Sequence, residues 1–175
     1  MDNDNHILLR HTTRQAAVRG LIYVVYYLLN QANSISRSTF NLVFMASIIG
    51  ASKDNQIELL NILITKAIDM GRDINWILAN IMAGASEGGN TNLLEWVWEN
   101  GGMNLNLFYP IIGAIQAKQT RGLEFFRSKG INIETILKAE VDKHPRVSYI
   151  NYLRKYLTIS QIQFLNDYLM SINKE

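Results

Sequence analysis

The chain has 175 residues, of which 48% are hydrophobic and 18% are charged, so one domain-sized core can form and disorder is not expected. A net charge of +2 favours neither nucleic acid nor an anionic membrane as partner, because both require concentrated positive charge. Cysteine is absent, which excludes disulfides, thiolate metal sites and a cysteine nucleophile.

The N-terminus and the apolar runs argue against a membrane protein. Residues 1–10 are polar and acidic where a signal peptide would be basic and then apolar. The longest apolar run, residues 20–29, has about half of the length that a spanning helix needs. We therefore expect a soluble, intracellular protein of the cytoplasm. Residues 1–10 are predicted to be a frayed lead-in from which Ile7, Leu8 and Leu9 pack on the next helix.

Apolar residues recur at spacings of three and four, which predicts an all-α protein. The first unit is expected to begin with a helix that Thr12 or Thr13 caps and that Gly20 ends. The apolar stretch LIYVVYYLLNQ follows as a second helix, and residues 32–36 form its exit.

Two more units follow the same plan. The second has a helix over residues 42–53, a turn at Asp54 and Asn55, and a helix that starts at Ile57 and runs to residue 67 or one turn beyond. The third has a short helix, a turn at Gly88 and Gly89, and a helix over residues 91–100.

The fourth unit is predicted to begin its first helix at Pro110, where a missing amide is harmless. Its turn lies at Lys118 and Gln119, and its second helix covers residues 121–129. The remaining chain departs from this plan. Its sequence predicts helices over residues 136–141, 147–157 and 161–172, and Ser160 is expected to cap the last of them.

The register of these units can be checked by the spacing of their landmarks. The interval from Ala51 to Ala85 is the same as the interval from Leu59 to Leu93. The next step, from Ala85 to Ala114, is slightly shorter. A repeat of about 30 residues with two short helices is typical of stacked helical pairs.

Several stretches resemble the ankyrin repeat. Residues 109–114 (YPIIGA) are similar to its T-P-L-H-L-A opening, and residues 16–20 (AAVRG) to A-A-x-x-G. Residues 24–29 (VVYYLL) are similar to V-V-K-L-L-L, and residues 71–75 (GRDIN) to G-A-D-V-N. The resemblance implies an all-α repeat solenoid with a C-terminal helical cap. The linking loops are short and lack the usual Asp and Gly, so hairpin fingers between units are expected to be stubby or absent.

The chain is accordingly expected to form one domain over residues 1–175. Its ankyrin-like repeats are assigned to residues 11–36, 42–75, 78–106 and 109–134, and its capping helices to residues 135–175. A cap with a polar outer face is needed because the last repeat would otherwise expose an apolar side.

No catalytic constellation, metal site or cofactor motif is evident, so an enzyme is not predicted. The three histidines, His6, His11 and His144, are more simply explained as solvated or capping residues. The glycines at 84, 88 and 89 are followed by no G-K-[ST] motif, which excludes a P-loop.

The resemblance implies a partner-binding surface built from the residues after the A-A pair and from the loop before each inner helix. Carried over by position, it comprises Arg19, Lys53, Arg72, Trp76, Glu87, Phe108 and Tyr109. The alternative for each is an ordinary solvated or turn residue. Trp76 has a further alternative, since it could begin the inner helix and be buried.

The favoured function is a non-enzymatic module that binds another protein through the concave face of the stack. Small divergent arrays of this family occur in large DNA viruses and intracellular bacteria, where they engage host proteins; by that resemblance the partner and the cytoplasm would be the host's. The alternative is a small self-assembling protein, a homodimer that pairs through outward-facing Tyr23 and Tyr26 of the first repeat.

Overall fold

The computed structural model describes residues 2–101, 104–145 and 147–172, with side chains from His6 onward. All regular secondary structure in these ranges is helical, which confirms the all-α prediction. None of the helices in the described ranges is long and apolar enough to cross a membrane. The helices are α1 (Asp2–Val18), α2 (Ile22–Ile35), α3 (Arg37–Lys53), α4 (Ile57–Asp69), α5 (Ile74–Gly88), α6 (Thr91–Glu99), α7 (Phe108–Gln116), α8 (Thr120–Ser128), α9 (Ile133–Asp142), α10 (Tyr149–Leu153) and α11 (Ile159–Ile172).

The first eight helices pack as four consecutive pairs: α1 with α2, α3 with α4, α5 with α6, and α7 with α8. The first helices of these pairs also form a continuous row, in which α1 contacts α3, α3 contacts α5, and α5 contacts α7. The predicted turns lie between the two helices of each pair. Contacts therefore run mainly between neighbours in the sequence, and the core lies between the row and the second helices.

The turn within each pair has the same backbone geometry. One residue adopts a positive φ: Gly20 (66°), Asn55 (55°), Gly89 (66°) and Lys118 (52°). The N–H of the next residue donates to the carbonyl of an alanine five positions earlier, closing the helix end with the hydrogen bond of a Schellman motif. These donor and acceptor pairs are Leu21 and Ala16, Gln56 and Ala51, Asn90 and Ala85, and Gln119 and Ala114.

Glycines let the helices of the row approach one another closely. A Cβ at Gly84 would lie 2.2 Å from the backbone oxygen of Ile49, and a Cβ at Gly50 would lie 2.5 Å from that of Arg14. Both distances are shorter than any non-bonded carbon–oxygen contact, so a larger residue would force these helices apart. Gly113 occupies the equivalent position of α7.

Side-chain amides connect each pair to the one before it. The Gln56 amide donates to the Val18 carbonyl at 3.0 Å, and the Asn90 amide donates to both the Ser52 and Lys53 carbonyls at 2.8 Å. Gln119 repeats this contact more weakly toward the end of α5. These amides satisfy helix-end carbonyls that have no partner within their own helix. The Gln or Asn that follows each of the last three turns was not predicted to have this role.

Replacing Asn90 by alanine is expected to lower the free energy of unfolding by about 1–3 kcal/mol, because two part-buried carbonyls lose their donor. Asn90 precedes α6 but makes no side-chain capping bond to it, so loss of a cap does not add to the effect. Urea unfolding followed by circular dichroism measures the change. Asn92→Ala, an exposed neighbour on α6, is the control and should stay within about 0.5 kcal/mol.

The prediction for the N-terminus was wrong. Residues 2–10 form the first part of α1. Thr13 lies inside this helix, where its hydroxyl donates to the Leu9 carbonyl. Of the three apolar residues expected to pack, only Leu9 contacts the core, while Ile7 and Leu8 are 60% and 64% exposed. The physical reason is tertiary: α1 packs along α3, and His6 Nδ1 lies 2.6 Å from Thr39 Oγ1 in a hydrogen bond.

Two further helix starts differ from prediction. Residues 32–35 belong to α2, and α3 begins at Arg37 because Ser36 caps it by accepting a hydrogen bond from the Thr39 amide. Pro110 is the third residue of α7, still within the first turn, where its missing amide costs no intrahelical bond. The apolar patterning alone did not reveal these extra turns.

The C-terminal helices return to the last pair. The Gln116 amide of α7 donates to the Tyr156 carbonyl at 2.8 Å, and the Gln161 amide of α11 donates to the Gln116 carbonyl at 2.7 Å. The predicted helix over residues 147–157 is only the short α10, and Ser160 lies inside α11 instead of capping it. Burial, with the nearby Glu134 carboxylate, raises the pKa of Tyr149 to about 12.

Candidate interaction surface

Partly exposed side chains follow one another across α1, α3 and α5. On α3 and α5 they are spaced by four residues, which places them on one face of each helix. The close glycine contacts hold the three helices in register, so these positions lie side by side. We name this set the open strip: Arg14 on α1; Met45, Ile49 and Lys53 on α3; and Ala79, Ala83 and Glu87 on α5.

An ion-pair network closes one end of the open strip. The Glu87 carboxylate pairs with the Arg14 guanidinium, and the Lys53 ammonium lies 3.5 Å from the same carboxylate oxygen. The Glu87 side chain is only 11% exposed, whereas both cations are more accessible. The structure thus brings together Lys53 and Glu87, which the sequence predicted as separate site residues. It adds Arg14, which could have been found from its place in the repeat, because Arg14 aligns with Ile49 and Ala83.

Trp76 and Arg72, also predicted site residues, lie together beyond the other end. Trp76 stacks on Phe44 with ring centroids 6.4 Å apart, and the Arg72 guanidinium carbon lies 5.3 Å from the Trp76 ring centroid. Trp76 is partly buried in the first turn of α5 and packs against the core. Its position agrees with the alternative that it begins the inner helix, and it offers only part of its surface to a partner.

Phe108 does not lie on a surface, contrary to expectation. Its side chain is 1% exposed and packs among Tyr109, Tyr152 and Tyr156, with ring centroids 5.3–6.2 Å away. Neighbouring Tyr109 is 56% exposed. Arg19 is exposed in the turn after α1. The predicted residues therefore form no single patch. Lys53 and Glu87 lie in the open strip, and Arg72 and Trp76 lie beside its end. Arg19 and Tyr109 are separate from it, and Phe108 is in the core.

The C-terminal segment ends the open strip at α7. Ala114 of α7 follows Ala85 of α5 by one repeat interval. By that interval, Phe108 is equivalent to Ala79 and Ile112 is equivalent to Ala83. Both are buried, and two tyrosines of the C-terminal segment pack on Phe108. These two positions of α7 are therefore closed to a partner, and the open strip covers the first three pairs.

The second helices carry a separate set of exposed apolar groups. On α2, Tyr23 is 90% exposed and Tyr27 is 63% exposed. Between α4 and α6, a groove of about 380 Å³ is bordered by Ile57, Ile64 and Trp96. These surfaces belong to helices outside the row, so they are distinct from the open strip.

Comparisons with known proteins identify no relative. No family model matches the chain, and no match was found among curated proteins or solved structures.

Proposed function

We propose that the protein is a non-enzymatic interaction module of the ankyrin-like repeat class and that it binds another protein through the open strip. The observation that carries this proposal is the in-register row of α1, α3 and α5, which presents partly exposed side chains at matching positions. Stacked helical pairs with such a row use it as an extended, concave binding surface.

The repeat assignment is supported by the recurrence of local structure. The positive-φ turns at Asn55, Gly89 and Lys118 follow one another at the same two intervals as Ala51, Ala85 and Ala114. The bridging amides and the glycines of the row follow these intervals as well. This recurrence supports a common structural unit for the last three pairs.

The chemistry of the open strip suits a protein partner. Its centre is apolar and partly exposed, consisting of Met45, Ile49, Ala79 and Ala83, and the charged groups lie at its end. Protein interfaces share this arrangement of an apolar centre with a polar rim. The flexible Met45 side chain can adapt to the shape of a partner.

A matched pair of double variants tests the proposal. Ala79→Arg/Ala83→Arg adds two long cationic side chains to the open strip, whereas Asn61→Arg/Thr65→Arg adds the same groups, also four residues apart, to exposed α4. Partners captured from lysate by the wild type are identified by mass spectrometry, purified and titrated against each protein. We expect the strip variant to weaken binding at least about tenfold, since it removes apolar contact at the interface centre.

Circular dichroism first establishes that both variants fold like the wild type. Equal affinity of the strip variant and the wild type would refute the open strip as the binding site. Loss of binding in the α4 variant alone would place the site on the outer groove.

Self-association through the first pair is a second candidate, favoured by the exposed apolar face of α2. Val24 is 42% exposed there, while Leu59 and Leu93, which occupy the same repeat position in α4 and α6, are buried. Light scattering coupled to size exclusion, over a hundredfold range of concentration, tests it. A dimer that Tyr23→Asp converts to a monomer would support this candidate, and a monomer at every concentration would eliminate it.

A further inference from the structure

A cationic cavity of about 540 Å³ lies where the ends of α2 and α4 meet the start of α3. Three of its lining residues are positively charged, and three more carry amide groups. No carboxylate is among the lining residues that the structure describes. The charged and amide residues of this cavity are Arg37, Lys66, Arg72, Asn30, Asn33 and Asn41.

The positive charge of the cavity is not neutralised from within the protein. In the described ranges, Arg37, Lys66 and Arg72 take part in no ion pair. Cations that share one cavity repel each other unless an anion lies among them. The arrangement therefore favours a negatively charged ligand.

Arg72 is held in place for such a ligand. Its Nη2 donates to the Asn41 side-chain oxygen, and its guanidinium lies over the Trp76 ring. Its Nε is buried and has no hydrogen-bond partner. Buried donors without a partner are rare in folded proteins, and a bound ion or water is among the explanations for them.

The start of α3 adds to the positive potential of the cavity. Arg37, Phe40 and Asn41 belong to the first turns of this 17-residue helix and line the cavity. Unpaired amides and the helix dipole give a helix N-terminus a partial positive charge. This contribution reinforces the three side-chain cations.

We propose that this cavity binds a phosphate monoester. Three cations match the double negative charge of a phosphate better than the single charge of a carboxylate, and arginine forks bind phosphate oxygens in pairs. Phe40 and Met70 also line the cavity, so it has apolar wall for the organic part of the ester. This site is separate from the open strip and does not depend on it.

The phosphate could be part of a free metabolite or of a phosphorylated side chain. The shared chemistry is tested with inorganic phosphate, in a nuclear magnetic resonance titration of the ¹⁵N-labelled protein against sodium chloride at matched ionic strength. We expect phosphate, and not chloride, to shift the amide signals of residues 36–41 and 66–72. Glycerol 3-phosphate then represents a free metabolite, and a capped phosphoserine tripeptide represents a phosphorylated side chain. The compound that binds more tightly identifies the source.

The decisive variant is Arg37→Gln/Lys66→Gln, which removes two cations and leaves Arg72 with Trp76 and Asn41. Its affinity for phosphate should fall at least about tenfold, because charge-assisted hydrogen bonds are lost. Lys138→Gln/Arg154→Gln makes the same change of charge at exposed positions near the C-terminus and should leave the affinity unchanged. Absence of phosphate-specific shifts, or an equal loss of affinity in both variants, would overturn the proposal.

Discussion

Replacement of Phe108 by alanine is expected to destabilise the protein by about 3–5 kcal/mol, the usual cost of deleting a buried aromatic ring. The ring is 1% exposed and contacts three tyrosines, two of them from the C-terminal segment. Its loss leaves a cavity between α7 and that segment. The change is measured as the shift in free energy of unfolding in urea.

Tyr109→Ala is the matched control for this experiment. The two residues are adjacent and aromatic, but the Tyr109 side chain is 56% exposed, so its loss should cost no more than about 1 kcal/mol. Similar effects of the two substitutions would show that α7 is rotated from the orientation described. The contrast also means that Phe108 variants report on stability, so a binding experiment needs substitutions on the open strip instead.

Gly84→Ala is expected to cost about 3 kcal/mol, the upper part of the range for adding a methyl group to a packed interior. The added Cβ would lie 2.2 Å from the backbone oxygen of Ile49, and a carbonyl within α3 cannot rotate away. The helices α3 and α5 must therefore separate, which disturbs contacts along their whole length. Thermal and urea unfolding both report this loss.

Gly113→Ala provides the comparison at the same repeat position in the next pair. There the nearest atoms to an added Cβ are Glu87 Cγ at 3.0 Å and the Ala83 backbone oxygen at 3.3 Å, so a shift of a few tenths of an ångström relieves the contact. Alanine is favoured over glycine in a helix by ~1 kcal/mol, which offsets the small displacement, so the net change should be near zero. If Gly84→Ala is equally mild, the close approach of α3 and α5 is incorrect.

The sequence predicted the helix pairs well because the relevant signals are local. Turns at Asn55 and Gly89 follow directly from residues that tolerate a positive φ, and the repeat interval fixed their order. Helix starts were predicted less well. The extension of α1 to Asp2 depends on packing between helices, which periodicity within one segment does not report. The start of α3 at Arg37 depends on the Ser36 cap, which apolar periodicity does not report either.

The candidate sites were harder to predict for a related reason. Lys53 and Glu87 were chosen from their repeat positions, yet their pairing with each other and with Arg14 depends on the register between helices. Phe108 was placed on a surface by repeat position alone, but the C-terminal segment folds over it. The cationic cavity unites residues from three helices, and no single stretch of sequence contains them.

The row of helices also bears on how the chain acquires its structure during synthesis. Each pair docks mainly on the pair translated just before it, through contacts such as those of Gln56 and Asn90 with the preceding helix end. Short sequence separation between contacts favours fast folding, and nascent domains form from the N-terminus onward. A growing chain can thus add one finished pair at a time on the ribosome. The return of α11 to α7 joins elements further apart in the sequence, so it must wait until Ile159–Ile172 has left the exit tunnel.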